Sequence, residues 1–273
     1  IKKSEADEIK EKIKLISGKV VNDNLINNTK NNIKKYFYEK GFLNATVSIK
    51  EFPDSILSNS VLLKIIIDKN QRVKINQINI TGNGSLSLKK VKKALKETKE
   101  KSSWNILSSS KFQEKTFEED KALLIEKYNE LGYRDASITF DTVYKFDDKS
   151  INIDLTIHEG PKYYFGDINF IGNSVYTNSQ LKRVLGISEG NVYNGVLLQE
   201  RIEDVTDPEA NDLTNLYQNN GYLFSRINPV EVAVRNDTID FEIRIIEGKI
   251  AYFDHITVVG NDKTNDHVIY REI

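Results

Sequence analysis

Side chains suited to proton transfer or metal ligation are few in this chain. Its three histidines, His158, His255 and His267, are the groups whose ordinary pKa lies nearest neutrality, and no two of them share a metal-ligand spacing. His158-Glu159 has the makings of an acid/base pair, yet the corresponding place 88 residues on holds Ile246-Glu247. A slot that loses its histidine on repetition does not carry catalysis. Cysteine is absent, which excludes disulfides, thiolate metal sites and cysteine nucleophiles. The acidic run Asp207–Asp212 suggests a calcium loop but lacks the spaced oxygen ligands, central glycine and closing glutamate of one. The expectation is a protein that is not an enzyme, with no catalytic residue, no metal and no cofactor.

Charge narrows the partners. The chain has 39 basic and 40 acidic residues, a net charge of −1, so no excess of cations is available to neutralise phosphates and nucleic acid is excluded as the main partner. The lysine-rich stretch Lys89–Lys101 is mixed with glutamate and reads as a solvated helix face, contact with lipid headgroups being the lesser reading. Trp104, the sole tryptophan, reads as a core anchor in a loop between helices, partner binding being the lesser reading. The longest apolar stretch, Val61–Ile67, is interrupted by Lys64 and falls far short of the ~18 residues of a membrane span. Without methionine or a signal peptide, the sequence reads as an internal stretch of a longer protein.

What must position any site is a repeat. An alternating apolar run ends in Gly-Asn at Gly82, Gly172 and Gly260, spaced 90 and 88 residues apart. A helical run ends in Gly-aromatic at Gly41-Phe42, Gly132-Tyr133 and Gly221-Tyr222, and an alternating strand ends in Glu-Gly at Glu159-Gly160 and Glu247-Gly248. The boundaries that follow are 1–72 (a repeat lacking its first strand), 73–162, 163–250, and 251–273 as the truncated start of another.

Each repeat is predicted to run strand, helix, helix, strand, strand. Ile78 and Ile80 share one face of the opening strand of the second repeat. Ser85 or Ser87 caps a short helix carrying Leu88, Val91 and Leu95, and a longer helix carries Phe117, Leu124 and Tyr128. Ile138 and Phe140, then Ile151, Ile153, Leu155 and Ile157, mark the closing pair. In the first repeat Ile9, Ile13 and Ile16 mark the short helix; in the last, Ile256–Val259 is expected to open the sheet. In the third, Asp207-Pro208 is expected to break the long helix, which restarts with Pro208 in its first turn. Phe42, Tyr133 and Tyr222 read as core residues. Gly82, Gly172 and Gly260 read as turn residues, and Glu159, Gly160, Glu247 and Gly248 as junction residues, the glutamates orienting the junction or simply solvated.

A right-handed crossover sets the opening strand parallel to the closing one and leaves the strand between them in sequence at an edge. Pro53 and Pro229 fall in that strand, where a missing donor is tolerated. The fold class is therefore α+β: tandem βααββ domains, each a three-stranded mixed sheet with two helices on one face. Connections of about eight residues between copies imply an elongated array. An open edge invites strand addition by an extended polypeptide. The candidate edge residues are Thr46, Val47, Ser48 and Ile49; Ser137, Ile138, Thr139 and Phe140; and Arg226, Ile227, Val230 and Val232.

A strand ending in Gly-Asn, two helices, Gly-Tyr, two strands and Glu-Gly, in tandem, resembles POTRA (polypeptide-transport-associated) domains. The end of the chain, Gly260-Asn261-Asp262-Lys263-Thr264 and Val268-Ile269-Tyr270-Arg271-Glu272, is similar to the start of a further one. Asp68-Lys69-Asn70 departs from the pattern where Glu-Gly is expected. The resemblance implies a scaffold on the periplasmic face of the outer membrane of a Gram-negative bacterium, within an outer-membrane β-barrel protein insertase. It implies unfolded outer-membrane proteins, accessory lipoproteins and periplasmic chaperones as partners, and a parent anchored by a membrane β-barrel. A related translocation pore (a two-partner secretion transporter or TamA-like protein) and a purely structural spacer are the alternatives.

Overall fold

A computed structural model describes residues 3–13, 18–101, 110–252, 257–260 and 265–271. Ile16, Trp104 and Ile256 lie outside the described residues. Two compact units divide the chain, Ile1–Pro161 with the first two repeats and Lys162–Ile273 with the remainder.

The first repeat has α1 (Lys3–Ile13), α2 (Asp23–Glu39), β1 (Thr46–Pro53) and β2 (Val61–Asp68), the strands forming an antiparallel pair with no break in register. Ile9, Ile33, Tyr36 and Phe37 form its core. Asn22 caps α2, its side chain accepting the Leu25 N–H at 2.8 Å. Asn70 takes the positive φ (56°) that Gly160 (69°) and Gly248 (72°) take in the later copies, which asparagine tolerates better than most residues. The departure from Glu-Gly thus leaves the bend in place.

The second repeat has β3 (Lys74–Thr81), α3 (Leu88–Ala94), α4 (Glu114–Asn129), β4 (Ser137–Lys145) and β5 (Ser150–His158). Its sheet order is β3-β5-β4, with β3 parallel and β4 antiparallel to β5. The third repeats this as β6 (Tyr164–Ile171), α5 (Asn178–Leu185), α6 (Gly195–Ile202), α7 (Leu213–Gln218), β7 (Arg226–Arg235) and β8 (Thr238–Ile246), in order β6-β8-β7. The expected mixed three-stranded sheet is present in both. Alternation places the layers: Ile151, Ile153, Leu155 and Ile157 are buried against Val91, Leu95, Phe117, Leu124 and Tyr128, while Asn152 and Asp154 hydrogen-bond Asn76 and Asn79 on the other face. Burying each such aliphatic side chain contributes ~1.5–3 kcal/mol.

Two expectations need correction. The long helix of the third repeat does break near Pro208, but it restarts at Leu213, where Asp212 caps it by accepting the Asn215 N–H at 2.7 Å. Asp212 also accepts the Asp204 N–H, so one buried carboxylate organises the whole interruption and Pro208 stays in the loop. In the last repeat Thr257–Val259 form no strand, and among the described residues α8 (Asp266–Tyr270) is the one regular element. Among the described residues no strand lies beside them to supply a ladder, and an unpaired segment is not a strand.

Each three-stranded sheet has two rims, and the chain covers one of them itself. Along β3, Ile75 donates to Ser110 O and accepts from Lys101 N, Phe112 donates to Val73 O, and Ile78 donates to the Glu100 carboxylate at 2.7 Å. Along β6, Phe165 donates to Asn191 O and accepts from Gly190 N, and Tyr193 donates to Tyr163 O. The segment between the helices therefore occupies the first half of the opening strand's outer side, and among the described residues no strand pairs with the rims formed by β4 and β7.

Candidate functional site

The candidate edge residues all lie on rim strands: Thr46, Val47, Ser48 and Ile49 on β1, Ser137 to Phe140 on β4, and Arg226, Ile227, Val230 and Val232 on β7. Geometry divides them. The carbonyls of Leu155 and Ile157 face β3, the first within 3.5 Å of Thr81 Oγ1 and the second against Gly82. That of Thr156 faces β4, where it accepts from Thr139 Oγ1 at 3.3 Å. Backbone groups alternate along a strand, so Phe140, Thr142 and Tyr144 spend their backbone groups on β5. Asp141, Val143 and Lys145 turn theirs outward. Thr139 is the extra residue of a β-bulge, as is Val232 in β7.

The third repeat follows the same parity. The Ile245 carbonyl faces Gly172 at the end of β6, so Ile243 faces that way too, and its partner Pro229 on β7 directs its nitrogen outward. Proline there costs no ladder bond. Asp141 occupies the equivalent position in the second repeat, pairing with Leu155. These outward positions escape a reading of side-chain alternation, which does not report backbone parity. Pro229 was the one signal of it.

The turn and junction residues form one device. Gly82 (φ 79°) and Gly172 (φ 88°) sit so close to the closing strand that a Cβ would lie 1.9 Å from Ile157 O and 2.1 Å from Ile245 O. Asn83 and Asn173 close the turns, donating to Leu86 O and Tyr176 O at 2.8 Å. Glu159 then reaches across from the end of β5 to accept Ser85 N–H (2.9 and 3.0 Å) and Oγ (2.7 Å). Glu247 accepts Ser174 and Val175 N–H at 2.8 and 2.9 Å, the Ser174 hydroxyl, and Tyr217 OH at 2.9 Å. Each glutamate binds the turn of its own repeat. Ser85 is thereby engaged as a clamp partner, and Ser87 stands at the N-cap of α3 without a side-chain bond. Gly260 keeps a positive φ (83°) with nothing within 4 Å of a Cβ. Gly160 and Gly248 follow the glutamates against Asp135 and Phe224.

Burial works against the Glu247 carboxylate, but the bonds from the Ser174 hydroxyl, Val175 N–H, Tyr217 OH and Ser174 N–H outweigh it and hold its pKa below the ordinary glutamate value. Burial, reinforced by Glu247, pushes the Tyr217 phenol well up. A carboxylate depressed in the fold stabilises above its unfolded pKa of about 4.3, and that contribution disappears as pH falls through the folded value. Acid titration of the third repeat, followed by amide exchange on β8, is expected to show stability falling below about pH 4.3. Glu247→Gln should flatten that slope and lower stability at neutral pH by about 1–2 kcal/mol.

The Gly-aromatic ends recur as a packing motif. Phe37–Phe42, Tyr128–Tyr133 and Tyr217–Tyr222 each meet edge to face with centroids 6.0 Å apart. Each second ring is partly buried against its core. The glycine carbonyl then takes the next repeat's first donor: Gly41 O accepts Val73 N–H at 3.2 Å, and Gly221 O accepts Ala251 N–H at 2.8 Å. Among the described residues no group of three or more His, Asp or Glu could hold a metal ion.

Copied α+β modules, two of them with a three-stranded mixed sheet whose β4 or β7 rim has no partner strand among the described residues, define a class of tandem-repeat scaffold. The POTRA family model, described as "Surface antigen variable number repeat", matches residues 2–70, 73–160 and 163–248, and the chain belongs to that family. It is 25% identical over 268 residues to a putative outer membrane protein assembly factor of Treponema pallidum, covering 96% of this chain and 30% of that protein. It is 26% identical over 264 residues to the outer membrane protein assembly factor BamA of Neisseria meningitidis, covering 95% and 32%. The crystal structure of Haemophilus influenzae BamA POTRA3-5 superposes with a TM-score of 0.49 at 18% identity, covering 90% of this chain and 91% of that one. The chain thus spans about a third of the length of these curated relatives.

Proposed function

We propose that this chain is the POTRA region of a BamA-like outer-membrane protein assembly factor. It stands on the periplasmic face of the outer membrane of a Gram-negative bacterium and acts as a non-catalytic scaffold. It holds unfolded outer-membrane proteins by strand addition to β1, β4 and β7, and accessory lipoproteins and periplasmic chaperones share its surface. The observation that carries this reading is the uneven treatment of the two rims: the chain's own segments cover β3 and β6, while β4 presents Asp141, Val143 and Lys145 outward.

Magnitudes favour transient holding. Four or five new ladder bonds at ~1 kcal/mol net give roughly 5 kcal/mol, against an association cost of about 4–15 kcal/mol. One rim binds weakly and releases readily; linked rims raise the local concentration of a held segment. Side-chain demands stay low because pairing is made by backbone, which suits clients of many sequences.

Parity supplies the test. Asp141→Pro places proline where the third repeat already has Pro229, so the fold should survive, while an extended barrel-strand peptide titrated against β4 should bind about tenfold more weakly. Thr142→Pro removes a ladder donor to β5 and should unfold the second repeat. A folded Asp141→Pro variant with unchanged β4 amide shifts and peptide affinity would refute strand addition at this rim.

A further inference from the structure

Helix α3 and the residues after it carry a charge density with no counterpart in the third repeat. Lys89, Lys90, Lys93, Lys96, Lys99 and Lys101 are all exposed. Lys92 alone of this stretch has an ion-pair partner among the described residues, Glu100 at 2.6 Å. The equivalent helix α5 has only Lys182 and Arg183. With Glu97 exposed and Glu100 spent on Lys92 and on the Ile78 N–H, the cations dominate the face.

The shape is a ridge between two hollows. On the α4 side a hollow of about 610 Å³ has Leu86, Ala94, Leu123 and Leu131 beneath Lys90, Lys93, Lys96 and Lys127, with Glu126 and Glu130 on its far wall. Glu130 is paired with Lys127. On the β3 side a hollow of about 550 Å³ has Ile78 beneath Lys89, Lys92, Lys93, Lys99 and Lys101. Leu88 opens the ridge 46% exposed.

We propose that this ridge is a docking surface for the anionic headgroups of a lipid bilayer. A peptide seated in either hollow would meet half the cations, and on the α4 side would also face Glu126. A flat anionic sheet meets both flanks of a convex ridge at once, with the long lysine stems lying over the apolar floors. Clusters of four to eight lysines beside a membrane act in this additive way. The inference rests on charge and shape and is independent of strand addition at β4.

The test is co-sedimentation of the whole chain with phosphatidylcholine vesicles, with and without phosphatidylglycerol, at low and physiological salt. Binding is expected only with phosphatidylglycerol and should weaken with salt. The K90Q/K93Q/K96Q variant, its fold checked by circular dichroism, should lose about a hundredfold in affinity, while K182Q/R183Q on α5 behaves as the parent. Equal binding to uncharged vesicles, or an unaffected triple variant, overturns the proposal. So does soluble polyglutamate binding through these lysines when phosphatidylglycerol vesicles do not, which would assign the ridge to an acidic polypeptide. Peptide titration at β4 should be unchanged in the triple variant, so either reading can fail without the other.

Discussion

Gly172→Ala is expected to destabilise the third repeat by more than about 4 kcal/mol, a loss seen only when a side chain has nowhere to go. The positive φ alone costs an alanine about 1–2 kcal/mol. The larger part is steric: the new methyl would sit 2.1 Å from Ile245 O. That carbonyl belongs to the central strand of the sheet, so relief requires β6 and β8 to part and their ladder to be surrendered. Gly190 provides the control within the same repeat. It has a similar φ of 80° but nothing within 4 Å of a Cβ, so Gly190→Ala should cost only about 1–2 kcal/mol. Amide exchange on β6 and β8 reads both, and comparable losses for the two variants would show that the close approach is not decisive.

Asp120→Ala should have an effect of similar size in the second repeat. Asp120 is 2% exposed, and its two oxygens accept Lys96 N–H (2.9 Å), Glu97 N–H (3.0 Å) and Thr98 N–H (2.6 Å). Thr98 is itself buried. Truncation strands donors away from water at about 1–3 kcal/mol for each one left unsatisfied, giving a loss of about 3–5 kcal/mol. Asp120→Asn keeps one acceptor oxygen and should cost about half as much. Denaturation followed through β3 and β5 amides would separate the two, and an alanine variant as stable as wild type would show that the N–H groups find other partners.

The architecture was legible because repetition amplified weak local signals. One Gly-Asn pair says little, but Gly82 and Gly172 with their matched helix ends and Glu-Gly strands imply copies, and crossover handedness then orders the sheet. Relations that depend on what lies across the strand were hidden. Alternation told which side chains face the core but not which N–H groups face outward, because that parity is set against β5 and β8; the bulges at Thr139 and Val232 shift it again. Glu159 and Glu247 read as junction or solvated residues because their partners lie over seventy residues away, across a parallel pair. Asp212 looked like part of an acidic run, whereas its burial and its bond to Asp204 decide where α7 begins.

The segment lying along β3 and β6 also bears on how such molecules behave at high concentration. Were both sides of a sheet free, one molecule could add to the next without limit, as in a fibril. With the first half of that side taken up by the molecule's own backbone, two sheets meeting through β4, or two through β7, form a closed pair, and neither sheet can become the middle of an endless stack. Crowding would then join chains through discrete two-sheet contacts that fall apart on dilution rather than through a continuous fibril-like sheet.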